Sequence, residues 1–149
     1  MNFILLSPET GKKEELTLPC SEDDFARYCQ AVGVKNSSET MVTVERISQN
    51  TDLYLLIGGQ TCKLEELNFL LKGIKSLKSE EKDLFLMASH ANAQEELPFF
   101  INLVFNLQCF SVISDFSYLH LIGRALHLNE SDGVEENFDN TAFFLQSLQ

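Results

Sequence analysis

Residues 52–74 read DLYLLIGGQTCKLEELNFLLKGI, and the change of period across the glycine pair in this stretch decides the fold. Before it, Asp52 to Ile57 is a short apolar run that predicts a strand closed by a turn at Gly58 and Gly59. After it, a helix is expected to open at Thr61 or Cys62. Leu64, Leu67, Leu71 and Ile74 then form one stripe at helical spacing while Glu65, Glu66, Lys72 and Lys75 face away. A strand period giving way to a helix period predicts an α+β chain. Its parts are a small N-terminal antiparallel sheet with one helix, a compact helical unit and a short acidic C-terminal tail.

Working towards the N-terminus, strands are expected at Asn2 to Ser7, Glu15 to Pro19 and Thr40 to Ser48. In the last of these Val42 and Val44, extended by Arg46, share one face against Thr43 and Glu45. Between the second and third lies a helix with strong local signals. Ser21 is a good N-cap, Glu22, Asp23 and Asp24 suit the positive end of the helix dipole, Phe25, Tyr28, Cys29 and Val32 repeat at helical spacing, and Gly33 is the stop. Towards the C-terminus, Ser79 is expected to cap a second helix of the helical unit, with Leu84, Phe85 and Ala88 inward. A third runs from Gln94 to Leu107, with Pro98 tolerated in its opening turn. Cys109 to Ile113 reads as a short strand or an extended link, and Asp115 starts a fourth helix through about Leu126. A polar, acidic loop follows from Leu128 to Asp139, and Thr141 to Leu148 suits a short docking helix. The expected division is 1–60, 61–127 and 128–149.

Composition narrows the function classes. The 149 residues are 44% apolar and carry 22 acids against 11 Lys and Arg, a net charge of −11. Such a surface repels phosphate, so no direct contact with nucleic acid or an anionic membrane is expected. The first apolar run, Phe3 to Leu6, is far short of a secretory core of about 7 to 15 residues, and nothing reaches the roughly 18 of a membrane span, so a cytoplasmic protein is expected. Cys20, Cys29, Cys62 and Cys109 form no C-x-x-C pair and read as reduced, buried hydrophobes. His120 and His127, two turns apart without an interleaved carboxylate, make a poor metal site, and His90 suits a helix end. There is no G-x-S-x-G elbow, and Gly58 and Gly59 lack the rest of a phosphate loop. No enzyme activity, metal or cofactor is expected.

The charge is unevenly placed. From Asp83 onward nine acids face one base, Arg124, so that stretch carries −8 of the net −11. An acidic stretch can be no more than a solubilising face. It can also imitate a nucleic acid: phosphates recur about every 3.4 Å along a DNA strand, and carboxylates three or four residues apart on a helix sit about 5 to 6 Å apart. The candidate phosphate substitutes are Glu65, Glu66, Glu80, Glu81, Asp83, Glu95, Glu96, Asp115, Glu130, Asp132, Glu135 and Glu136. Lys12, Lys13, Lys72, Lys75, Lys78 and Lys82 interrupt the negative surface of the first half.

The order of motifs resembles the ArdA-type antirestriction proteins over about residues 3–127. Leu16, Thr17, Leu18 and Pro19 lead into a helix with Asp24 and Phe25, closed by Gly33. Glu66, Leu67, Asn68, Phe69 and Leu70 match an E-L-N-x-L helix start. The run Asn102 to Phe110 matches N-L-x-x-N-L-x-C-aromatic, and Asp115 with Phe116 and Gly123 with Arg124 complete the series. The resemblance implies a DNA mimic that inhibits type I restriction-modification enzymes through their methyltransferase core. It also implies a homodimer, although only the tail after Leu128 corresponds to the family's dimer-forming third unit. Two other readings fit the residues. One is an inhibitor of another phage-defence nuclease with a basic channel, such as a CRISPR effector. The other is an interaction module without mimicry that docks a partner through Phe143, Phe144, Leu145 and Leu148.

Overall fold

The computed structural model describes residues 1–107 and the backbone of two further strands, Phe110–Ile113 and Phe144–Ser147. The chain divides into two compact units, Met1–Phe105 and Asn106–Gln149, so the change of period at Gly59 falls inside the first.

The first unit is built on a four-stranded antiparallel sheet of β1 (Asn2–Leu6), β2 (Lys13–Thr17), β3 (Met41–Ile47) and β4 (Thr61–Lys63) in the order β2-β1-β3-β4. Phe3 faces Leu16 across β1 and β2 and Ile47 across β1 and β3, and all three are buried. Arg46 does not share the inner face with Val42 and Val44. Pairing passes from Ile4 opposite Arg46 to Leu5 opposite Val44, leaving Glu45 as the extra residue of a bulge. The bulge shifts the alternation by one, so Ile47 points inward and Arg46 is exposed.

Helix α1 (Glu22–Val32) has the expected ends. The Ser21 hydroxyl accepts the Asp24 amide N–H, and Gly33 closes the helix at φ 77°. Its buried side is Tyr28, Cys29 and Val32, and the Tyr28 hydroxyl donates to the Leu5 carbonyl at 3.2 Å. The expected strand at Asp52 to Ile57 is instead helix α2 (Thr51–Ile57). Asn50 caps it, its Oδ1 accepting the Leu53 amide at 2.9 Å, and Leu53, Leu56 and Ile57 are buried at helical spacing. The helix expected from Thr61 begins later, because Thr61–Lys63 pairs with β3 as β4 before α3 (Leu64–Ser76) starts. The predicted stripe of Leu64, Leu67, Leu71 and Ile74 is buried.

Helix α4 (Ser79–Ala91) buries Phe85 and Ala88, while Leu84 is half-buried. Ser79 is its first residue and not its cap: Lys78 precedes it, and the Glu81 carboxylate reaches back to the Lys78 amide at 2.7 Å. Helix α5 (Leu97–Phe105) is shorter than the Gln94 to Leu107 expected. Pro98 sits in its opening turn as expected, and a turn bonding the Glu95 amide to the Asn92 carbonyl takes up the residues before it. Gly73 lets α5 approach α3: a Cβ there would lie 2.8 Å from Val104 Cγ1 and 3.0 Å from the Phe105 ring.

In the second unit β5 (Phe110–Ile113) pairs antiparallel with β6 (Phe144–Ser147). The short terminal helix expected over Thr141 to Leu148 is therefore a strand over Phe144–Ser147. An unbroken apolar run such as Phe143 to Leu145 suits either period until it finds a partner. The expected helix at Asp115 and the loop from Leu128 lie outside the described residues. No described helix is long and apolar enough to cross a membrane.

Candidate functional site

The candidate acids fall on three places in the first unit. Glu65 and Glu66 occupy the first turn of α3, Glu80, Glu81 and Asp83 the first turns of α4, and Glu95 and Glu96 the link before α5. Carboxylates are favoured at the first two places because unsatisfied amide N–H groups give a helix start partial positive charge. Glu95 and Glu96 are not helix-borne as expected, since α5 starts at Leu97. Asp115, Glu130, Asp132, Glu135 and Glu136 lie outside the described residues.

Glu65, Glu80, Asp83, Glu95 and Glu96 are exposed and Glu66 and Glu81 half-buried. None of the seven joins an ion pair among the described residues. The cations that are paired there hold other acids: Lys13 with Glu45, Arg27 with Asp24 and Lys63 with Glu39. The seven do not form one cluster. Glu65 and Glu80 are separated by the length of α3, about 20 Å for its 13 residues at 1.5 Å each.

What the fold does bring together is the start of α3 and the start of α1. Asn68 accepts the Cys20 amide N–H at 2.8 Å and donates to the Cys20 carbonyl at 3.3 Å. This two-point clamp ties α3 to the residue before the Ser21 cap, and the two helix starts flank one groove of about 900 Å³. Glu22, Glu39, Glu65 and Glu66 line it together with Lys63 and Lys72, and Phe25 and Phe69 supply apolar surface. Lys63 Nζ lies 3.1 Å from Glu39 Oε1, and that hydrogen bond, followed by the charges of Glu39, Glu66 and Glu65, holds its ammonium above the usual lysine range. Glu22 and Glu39 were not among the candidates read from the sequence. Glu22 reads there as a helix-start acid, and nothing local to Glu39 places it beside Lys63, 24 residues away.

The thiols have little reactivity to offer. Cys20, Cys29 and Cys62 are buried and unpaired with one another, as expected of small hydrophobes. Burial pushes all three up, that of Cys62 to about 11 with a further contribution from Glu66, so they stay protonated at neutral pH. Cys109 lies outside the described residues. His90 sits in the last turn of α4, where the helix dipole favours a cation. Among the described residues no three of His, Cys, Asp and Glu are placed to share a metal ion.

Compared with known proteins, the chain matches no family model, no curated protein and no solved structure.

Proposed function

We propose that this chain is a non-enzymatic, cytoplasmic, ArdA-like inhibitor that occupies the basic DNA-binding groove of a host-defence enzyme, its carboxylates standing in for phosphates. The target that the motif resemblance favours is the methyltransferase core of a type I restriction-modification enzyme. The supporting observation is that Glu65, Glu80, Asp83, Glu95 and Glu96 are exposed and join no ion pair among the described residues, while Glu39 and Glu45 do. An unpaired exposed carboxylate can exchange water for a partner's guanidinium or ammonium without first breaking an internal pair. The acids also extend over at least the length of α3, and a groove that holds a duplex needs charge distributed along it rather than gathered at a point.

Charge reversal tests the reading. Changing Glu80, Asp83, Glu95 and Glu96 to Lys moves the net charge from −11 to −3, since each reversal adds two. These side chains lie at the surface, so the circular dichroism spectrum is expected to stay that of the parent, while lysines against the helix dipole at Glu80 and Asp83 lower the melting temperature by a few degrees. Inhibition of a type I enzyme is expected to fall by at least about tenfold, the equivalent of 1.4 kcal/mol spread over four charges. Undiminished inhibition by the folded quadruple variant contradicts the mimic mechanism.

A further inference from the structure

On the first unit a second cavity, of about 390 Å³, lies between the link after β2, the start of α2, the later half of α3 and the middle of α4. Its charge is the reverse of the molecule's. Among the described residues, Lys75 and Lys82 are the only ionisable side chains in its lining, and no carboxylate lines it. Both lysines are exposed and neither joins an ion pair among the described residues. The walls are largely apolar, formed by Pro19, Leu53, Leu71, Ile74, Phe85 and Leu86. One of its few polar side chains, Asn50, already has its carbonyl oxygen committed to capping α2.

The geometry points to a binding site for a single alkyl chain ending in a carboxylate, a medium-chain fatty acid or its like. The chain lies against Met1, Pro19 and Leu86, whose accessible apolar surface gains by excluding water, over a floor of the buried Leu71, Ile74 and Phe85. The headgroup stays at the rim, where Lys75 and Lys82 neutralise it and keep its oxygens solvated. The volume is near the lower end of the roughly 300 to 1,000 Å³ of small-molecule sites, room for one chain and not for a two-chain lipid. On a protein of net charge −11 an anion is favoured where the local charge reverses, and among the described residues this cleft meets that condition. The inference uses none of the acids assigned to mimicry and stands apart from that proposal.

Isothermal titration of the full chain with sodium decanoate, kept below micelle formation, tests it. Expected is saturable one-to-one binding that weakens at least about tenfold when Lys75 and Lys82 are both changed to Glu, a loss matching two exposed charge pairs. Leu86→Trp, which fills the cleft, is expected to abolish binding with both lysines in place. The lysine variant alters only exposed side chains, so it remains decisive where Leu86→Trp fails to fold. Decyltrimethylammonium, with the same chain and the opposite charge, is expected to bind more weakly than decanoate, and phosphatidylglycerol vesicles are expected not to retain the protein. The inference is overturned by an absence of saturable decanoate binding, by equal binding of the cationic surfactant, by decanoate affinity unchanged in the lysine variant, or by retention on vesicles without binding of free decanoate.

Discussion

Ser89 and Tyr28 show how single polar groups are handled in this core. Ser89 is fully buried in α4, and its hydroxyl has no hydrogen-bond partner among the described residues. A buried hydroxyl left unmade costs about 1 to 3 kcal/mol, and alanine is the better helix former. Ser89→Ala is therefore expected to stabilise the protein by about 1 kcal/mol, read as a higher denaturant midpoint at unchanged slope. Tyr28 is the opposite case, with its hydroxyl satisfied by the Leu5 carbonyl and pushed by burial up to about 12. A raised folded value means that the native state holds this proton more tightly than the unfolded chain. Its stabilising contribution is present below pH 10 and is lost as pH rises from 10 towards 12, with Cys62 acting in the same direction. Unfolding measured from pH 9 to pH 12 is expected to show that decline. Tyr28→Phe is expected to cost about 1 kcal/mol at neutral pH through the lost bond and to make the alkaline decline shallower. Residues whose partners are close in sequence, such as Ser21 and Gly33, were legible as caps. Asn68 was not, because the backbone it clamps is 48 residues away.

Among the elements, the long periodic helix α3 and the short alternating strands β1 and β3 were readable, while short unbroken apolar runs were not. The stripe from Leu64 to Ile74 has three turns in which to declare its period, and it is buried as expected. Residues 52–57 are too few for period alone to separate helix from strand. Asn50 as a cap was the deciding signal, and it leaves Leu55 68% exposed on the outer side of α2. The β3 bulge is equally invisible in sequence, because the extra residue at Glu45 appears only when β3 meets β1. The pairing of β6 with β5 likewise depends on a strand about 30 residues upstream. Contact between α3 and α5 turns on Gly73. Replacing it with alanine improves helix propensity but drives a methyl group into Val104, whose branched side chain cannot turn aside cheaply. Gly73→Ala is expected to destabilise the protein by about 1 to 2 kcal/mol, and the double change Gly73→Ala with Val104→Ala is expected to show non-additivity, as for any pair in direct contact.

At the scale of the molecule, charge was the most legible property and its arrangement the least. The excess of acids and its concentration after Asp83 are plain in the sequence. That Glu65 and Glu66 share a groove with Glu22 and Glu39, and that Lys75 and Lys82 share a cleft lined by no acid among the described residues, follows only from the packing of α1, α3 and α4. The account rests on the claim that the acids compete with DNA for one groove. Fluorescence anisotropy of a labelled duplex bound to a type I methyltransferase core, titrated with this protein at several salt concentrations, tests that claim directly. The account predicts complete displacement of the duplex, with the protein's own affinity, after allowance for the weaker duplex binding, falling steeply as salt rises. A duplex that stays bound at saturating protein, or an affinity that does not change with salt, would contradict it.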